Sequence, residues 1–200
     1  MAYTADETAL LAQKPRMGAL SVAEKIEQAN LLKTQGNTLF KGGEYKKAIH
    51  KYSAVFLYVN GLSVAGDGMS TYSQGNAAMS ATAAEGDEIK QLKIVAYTNT
   101  AMSHLKLEAF DKALDVCEKV LAIEPEHVKA LFRQGQAYAG KGKYSMAKEI
   151  LKKALALEPK NAAVRNELKR VIDESKLHPE EDDLKNKFSN MFNKSGGIYK

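Results

Sequence analysis

The chain aligns with itself at a fixed offset. The segment YTNTAMSHLKLEAFDKALDVCEKVLAIEPEH, residues 97–127, falls on LFRQGQAYAGKGKYSMAKEILKKALALEPKN, residues 131–161, when shifted by 34 positions. Ala113 then meets Ala147, Val120 meets Ala154, and Pro125 meets Pro159. A third copy lies upstream in LLKTQGNTLFKGGEYKKAIHKYSAVFLYVNG, where Gly36, Ala48 and Tyr52 hold the places of Gly135, Ala147 and Leu151. A period of this length is one supersecondary unit, too small to bury its own apolar face, so successive units must stack to share a core. That requirement excludes most folds before any single helix is assigned.

The elements inside each unit read as helices. SVAEKIEQANLLKTQGNTLFKGG opens with Ser21 and Glu24 in capping-box spacing and stops at Gly42-Gly43. AFDKALDVCEKVLAIEP places Ala113, Val116, Cys117, Val120 and Leu121 on one helical stripe before proline ends it. No stretch carries a strand signal. Asp87 and Glu88 suit the start of the helix that continues through Asn99. After the repeats, NAAVRNELKRVIDESK sets Val164, Leu168, Val171 and Ile172 on one face and can shield the end of the stack.

Two helices per 34 residues, small residues where helices cross and proline at the repeat end resemble the tetratricopeptide repeat across roughly Ala29–Asn161. The resemblance implies an all-α fold: three helix-turn-helix repeats in a right-handed superhelix with extra C-terminal helices. The expected organisation is a flexible segment at 1–20 and a repeat domain at 21–161. Within it the repeats lie at about 29–60, 94–127 and 128–161. The first two are 65 residues apart, and the extra residues, about 60–87, are Gly-, Ser- and Ala-rich and read as a loop. A capping helix at 162–176, an amphipathic helix at 180–194 and a tail at 195–200 follow.

Composition narrows the class. The formal charge of +5 and pI near 9.1 favour acidic partners. The basic residues are spread over many helices with acids interleaved, and no aromatic stacking platform accompanies them, so nucleic acid is disfavoured. Two hundred residues leave no room for a second large domain. A single cysteine, Cys117, excludes an internal disulfide and points to a reducing compartment. No apolar run approaches the roughly 20 residues that span a bilayer, and the start lacks a signal peptide, so a cytoplasmic protein without a membrane partner is expected.

Catalytic and metal chemistry find no support. The histidines at 50, 104, 127 and 178 are scattered, no HExxH or paired-cysteine spacing occurs, and AGKGKYS lacks the full spacing of a phosphate loop. Cys117 falls on a packed stripe, where it acts as a small apolar group. The expectation is no enzyme and no cofactor.

A binding function rests on the first helix of each repeat. Taking Ala29, Ile94 and Val128 as repeat starts, the groove-facing positions carry Lys33 and Asn37, Asn99, and Lys129 and Arg133. Lys129 and Arg133 stand four apart with no acid between, a like-charge spacing that costs an exposed helix about 0.2–0.5 kcal/mol. Five donors converging on one strip need an external acceptor, and the C-terminal carboxylate and acidic last side chain of a peptide supply two. Tetratricopeptide co-chaperones that hold the acidic C-terminal EEVD tail of Hsp90 or Hsp70 use this makeup as a dicarboxylate clamp. The resemblance assigns Lys33, Asn37, Asn99, Lys129 and Arg133 to the peptide carboxylates. Phe40 and Met102 are candidates for an apolar pocket before the acidic end, with core packing as the equal alternative.

The segment around Asn99–Leu121, the insertion and the terminal KFSNMFNK are similar to the repeat region of the large FK506-binding immunophilins, with Phe188 in place of the family's tyrosine. In those proteins a prolyl isomerase domain precedes the repeats. About twenty residues stand there in this chain, so the isomerase activity is not carried over, and either a fragment or a stand-alone relative is implied. The family's terminal helix is also linked to calmodulin. Phe188, Met191 and Phe192 could present a partner helix or pack on the last repeat. A third reading is an assembly scaffold for other peptides or helices, which would tolerate Arg133→Ala.

Overall fold

The computed structural model describes residues 3–64 and 80–178. They form helices α1 (Ala5–Ala12), α2 (Val22–Lys41), α3 (Tyr45–Val59), α4 (Ala83–Lys106), α5 (Phe110–Ile123), α6 (Val128–Gly140), α7 (Tyr144–Leu157) and α8 (Ala162–Leu177). Two short strands, β1 (Ser63–Val64) and β2 (Ser80–Ala81), stand between α3 and α4. The chain divides into two compact units, Met1–Pro125 and Glu126–Lys200.

In the first unit α2 pairs with α3, α3 packs on α4, and α4 pairs with α5, while α2 and α4 run side by side. The core gathers Leu32 and Leu39 from α2, Tyr52, Val55 and Val59 from α3, and Ile89, Leu92 and Ala96 from α4. In the second unit α6 pairs with α7, and α8 lies on α7. Leu131, Leu151, Val164 and Val171 are buried there. The fold is all-α, three helix-turn-helix repeats with α8 following.

Register between the repeats explains the crossings. A Cβ on Gly36 would lie 2.5 Å from the Tyr52 ring, and one on Gly135 would lie 2.6 Å from Leu151 Cγ. Glycine lets the second helix seat a large side chain against the first. The corresponding positions of repeat 2 are Ala101 and Cys117, both fully buried, so a larger residue on one helix goes with a smaller one on the other. The turns follow the same register. Gly43 and Gly142 have φ of +79° and +72°, and the equivalent residue in repeat 2, Glu108, adopts φ +55° with a side chain attached.

Three expectations are corrected. Residues expected to be a flexible N-terminal segment contain α1, started by a capping box in which Glu7 N donates to Thr4 Oγ1 and Thr4 N to Glu7 Oε2. Long-range bonds hold the segment: buried Gln35 donates from Nε2 to the carbonyls of Leu10 at 2.8 Å and Gln13 at 2.7 Å, and Tyr3 Oη donates to Glu44 Oε1 at 2.6 Å. A helix of eight residues is marginal on its own, and tertiary bonds that satisfy its C-terminal carbonyls hold it in place.

The second correction concerns the insertion. Its ends form a parallel ladder, with Ser63 opposite Ser80 and Val64 opposite Ala81. Buried Ala81 and Leu62 belong to the first unit's core, and that packing draws the two backbones together. The third concerns α4, which begins at Ala83 rather than near Asp87. Thr82 and Glu85 form its capping box, and Glu85 is the acid of the first turn.

Candidate functional site

On α2, Asn30, Lys33 and Asn37 recur at i, i+3 and i+7 and so share one face. Lys33 Nζ donates to Asn30 Oδ1 at 2.6 Å, and Asn30 Nδ2 donates to Glu88 Oε1 at 3.1 Å on α4. One and two turns further along, Asn37 Oδ1 accepts from Asn99 Nδ2 at 3.0 Å and from Tyr52 Oη at 2.9 Å. The structure thus brings Lys33, Asn37 and Asn99 onto the adjoining faces of α2 and α4. All three are half-buried.

The reason they converge is local. Asn99 sits on a long helix anchored beside α2 by Ile89, Leu92 and Ala96, so its outward face lines up with that of α2. Asn37 follows Gly36, whose missing Cβ admits the Tyr52 ring and so puts the Tyr52 hydroxyl beside the Asn37 amide.

In the second unit, α6 carries Lys129 and Arg133 one turn apart, Lys129 exposed and Arg133 half-buried. His127 starts this helix as its N-cap, accepting from Ala130 N at 3.1 Å. Each unit therefore presents its own part of the cationic set.

The remaining candidates divide. The Phe40 ring stands 5.2 Å from that of Tyr45 and packs against the first unit's core, while Met102 is half-buried on α4. Phe188, Met191 and Phe192 lie outside the described residues. Cys117 is fully buried. Among the described residues no cluster of His, Cys, Asp or Glu could hold a metal ion, and no helix is long and apolar enough to cross a membrane.

Three site residues escape a reading of the sequence. Asn30 and Glu88 are joined across α2 and α4, and nothing in either local pattern signals the other. Tyr52 looks like a packing residue by its register. Its one legible signal is that repeats 2 and 3 carry Cys117 and Leu151 there, so only repeat 1 has a hydroxyl at this position.

Comparisons with known proteins agree with this architecture. A tetratricopeptide-repeat family model matches residues 104–170. Mouse peptidyl-prolyl cis-trans isomerase FKBP4 is 32% identical over 149 residues, which cover 74% of this chain and 29% of that protein. The chain thus spans less than a third of that relative's length. Among solved structures, the C-terminal TPR-containing domain of a Plasmodium falciparum FK506-binding protein superposes with a TM-score of 0.63 at 29% identity, covering 78% of this chain and 94% of that domain. The first TPR of Spaghetti (RPAP3), bound to the HSP90 peptide SRMEEVD, superposes with a TM-score of 0.53 at 25% identity, covering 73% of this chain and 91% of that one. The chain is a tetratricopeptide-repeat protein, similar to the repeat region of the large FKBP-type immunophilins.

Proposed function

We propose that this protein is a non-catalytic, cytoplasmic adaptor that holds the acidic C-terminal EEVD tail of Hsp90, or the similar tail of Hsp70, in a dicarboxylate clamp. The observation that carries the reading is the cluster of Lys33, Asn37 and Asn99. It offers one ammonium and two amides on a single surface with no carboxylate bonded directly to any of the three among the described residues. Lys129 and Arg133 supply the second cationic group from α6. A similar repeat domain bound to SRMEEVD, a peptide with an acidic free end, supports the choice of ligand.

Charge-assisted hydrogen bonds to a carboxylate are worth about 1.5–3 kcal/mol each, enough to offset the like-charge spacing of Lys129 and Arg133 in the empty helix. Several of them on a short peptide suit micromolar binding, about −8 kcal/mol.

Calorimetric titration with SRMEEVD as free acid and as C-terminal amide tests the proposal. The free acid is expected to bind, the amide to lose most of its affinity, and Lys129→Ala and Asn37→Ala each to weaken binding by about tenfold or more. Affinity should also fall as salt is raised. A folded protein that binds neither peptide refutes the clamp.

A further inference from the structure

Glu88, Asn30 and Lys33 form a relay of two hydrogen bonds across α4 and α2. Asn30 Nδ2 donates to Glu88 Oε1 at 3.1 Å, and Asn30 Oδ1 accepts from Lys33 Nζ at 2.6 Å. The polarity of this relay has one solution. An ionised carboxylate only accepts and an ammonium only donates, so the Asn30 amide turns its nitrogen to Glu88 and its oxygen to Lys33. Lys33 gives Asn30 one of its three ammonium hydrogens and keeps two for a ligand.

The bond from Lys33 to Asn30 lies within one helix, but the group that fixes its acceptor lies on another. Glu88 belongs to the turns of α4 that precede Ile94, where repeat 2 begins. The first helix of repeat 3 has no such turns: α6 starts at Val128 and has 13 residues, against 24 for α4. The additional turns are firmly placed. The Thr82–Glu85 capping box starts them, and Ile89 and Leu92, each 3% exposed, tie them to the first unit's core. Glu88 itself is exposed, so its contribution at this surface is polar rather than to packing.

Resting on the clamp reading above, we infer that Asn30 and Glu88 are positioning residues that hold the Lys33 ammonium in place for the carboxylate of a peptide. Lysine carries its charge on a flexible four-carbon stem and loses rotamer freedom when it grips a ligand. Tethered through Asn30, Lys33 has given up part of that freedom before the ligand arrives. Less is then lost on binding, and affinity rises. Glu88 acts at one remove. It offers the peptide no donor, and its negative charge close to an anion site by itself weakens binding, so the tether and the charge act in opposite directions.

The test compares Glu88→Gln with Glu88→Ala in the full chain. Both remove the charge, and only glutamine keeps an oxygen that accepts from Asn30 Nδ2. Calorimetric titration with SRMEEVD as free acid should give an affinity about three- to tenfold lower for Glu88→Ala than for Glu88→Gln, the scale of ordering one long side chain. In the peptide-free proteins, ¹³C relaxation of the Lys33 Cε methylene should report a more mobile side chain in Glu88→Ala, while that of Lys129 stays the same in both. Each variant replaces an exposed residue, so equal melting temperatures serve as the control for folding. A pure charge effect would move both variants together from the parent and leave them equal to each other.

Equal affinities for the two variants, in a protein whose parent binds the peptide, overturn the inference and leave the clamp intact. A Lys33 side chain equally mobile in both does the same. A parent protein that does not bind the free acid overturns the clamp and this inference with it.

Discussion

Adding one methyl group at Gly135 tests how the repeats are built. The new Cβ would sit 2.6 Å from Leu151 Cγ and 2.7 Å from Cδ2, well inside van der Waals contact, and Leu151 is fully buried with no open side to move into. Overpacking of this kind costs about 1–3 kcal/mol, while alanine in place of glycine inside a helix contributes about 1 kcal/mol in the other direction. Gly135→Ala should therefore destabilise the chain by about 1 kcal/mol net. Repeat 2 shows the compensating pair, alanine at 101 with cysteine at 117. Leu151→Cys alone should cost about 2 kcal/mol through lost burial, and the double variant should lose less than the sum, by about 1–2 kcal/mol. Urea denaturation followed by far-ultraviolet circular dichroism measures all three. A Gly135→Ala protein more stable than the parent would mean that helix propensity alone governs the site. Strict additivity in the double variant would refute the size complementarity between the paired helices.

Glu108→Gly should stabilise the protein by about 1 kcal/mol, because the φ of +55° there is one that glycine adopts without strain in the other two repeats; unchanged or lower stability in urea counts against this. Gln35→Leu should free the carbonyls of Leu10 and Gln13, and hydrogen exchange across α1 should accelerate by roughly tenfold or more while α6–α8 keep their protection. Equal exchange in α1 would show that Gln35 does not anchor it. Bonds from the backbone N–H and hydroxyl of Ser21 hold the Glu24 carboxyl below its usual 4.5, and those of Thr82 do the same for Glu85. A carboxyl whose folded pKa is depressed contributes stability above its unfolded pKa, and that contribution is lost as pH falls through the folded value. Thermal stability should thus decline as pH drops below about 4.5, and Glu24→Gln with Glu85→Gln should flatten that decline. An unaltered slope would refute the assignment.

The self-alignment of the chain was enough to establish helix pairs, their number and their turns, because a repeat that stacks on its neighbours writes the same small and large residues at the same register each time. Ser21 and Glu24 marked the start of α2, and Thr4 with Glu7 and Thr82 with Glu85 carry the same legible capping pattern for α1 and α4. What sequence could not determine was which distant groups meet. That α1 is held by Gln35, that the ends of the insertion pair as strands, and that Asn30 reaches Glu88 depend on backbone carbonyls and side chains separated by up to 58 positions. The candidate site shows the same division. Helical periodicity put Lys33 and Asn37 on one face, and resemblance suggested the role proposed for them. Only tertiary packing placed the Tyr52 hydroxyl and the Asn99 amide on the same Asn37 oxygen, because the direction of an amide is decided by its neighbours in space and not by its neighbours in the chain.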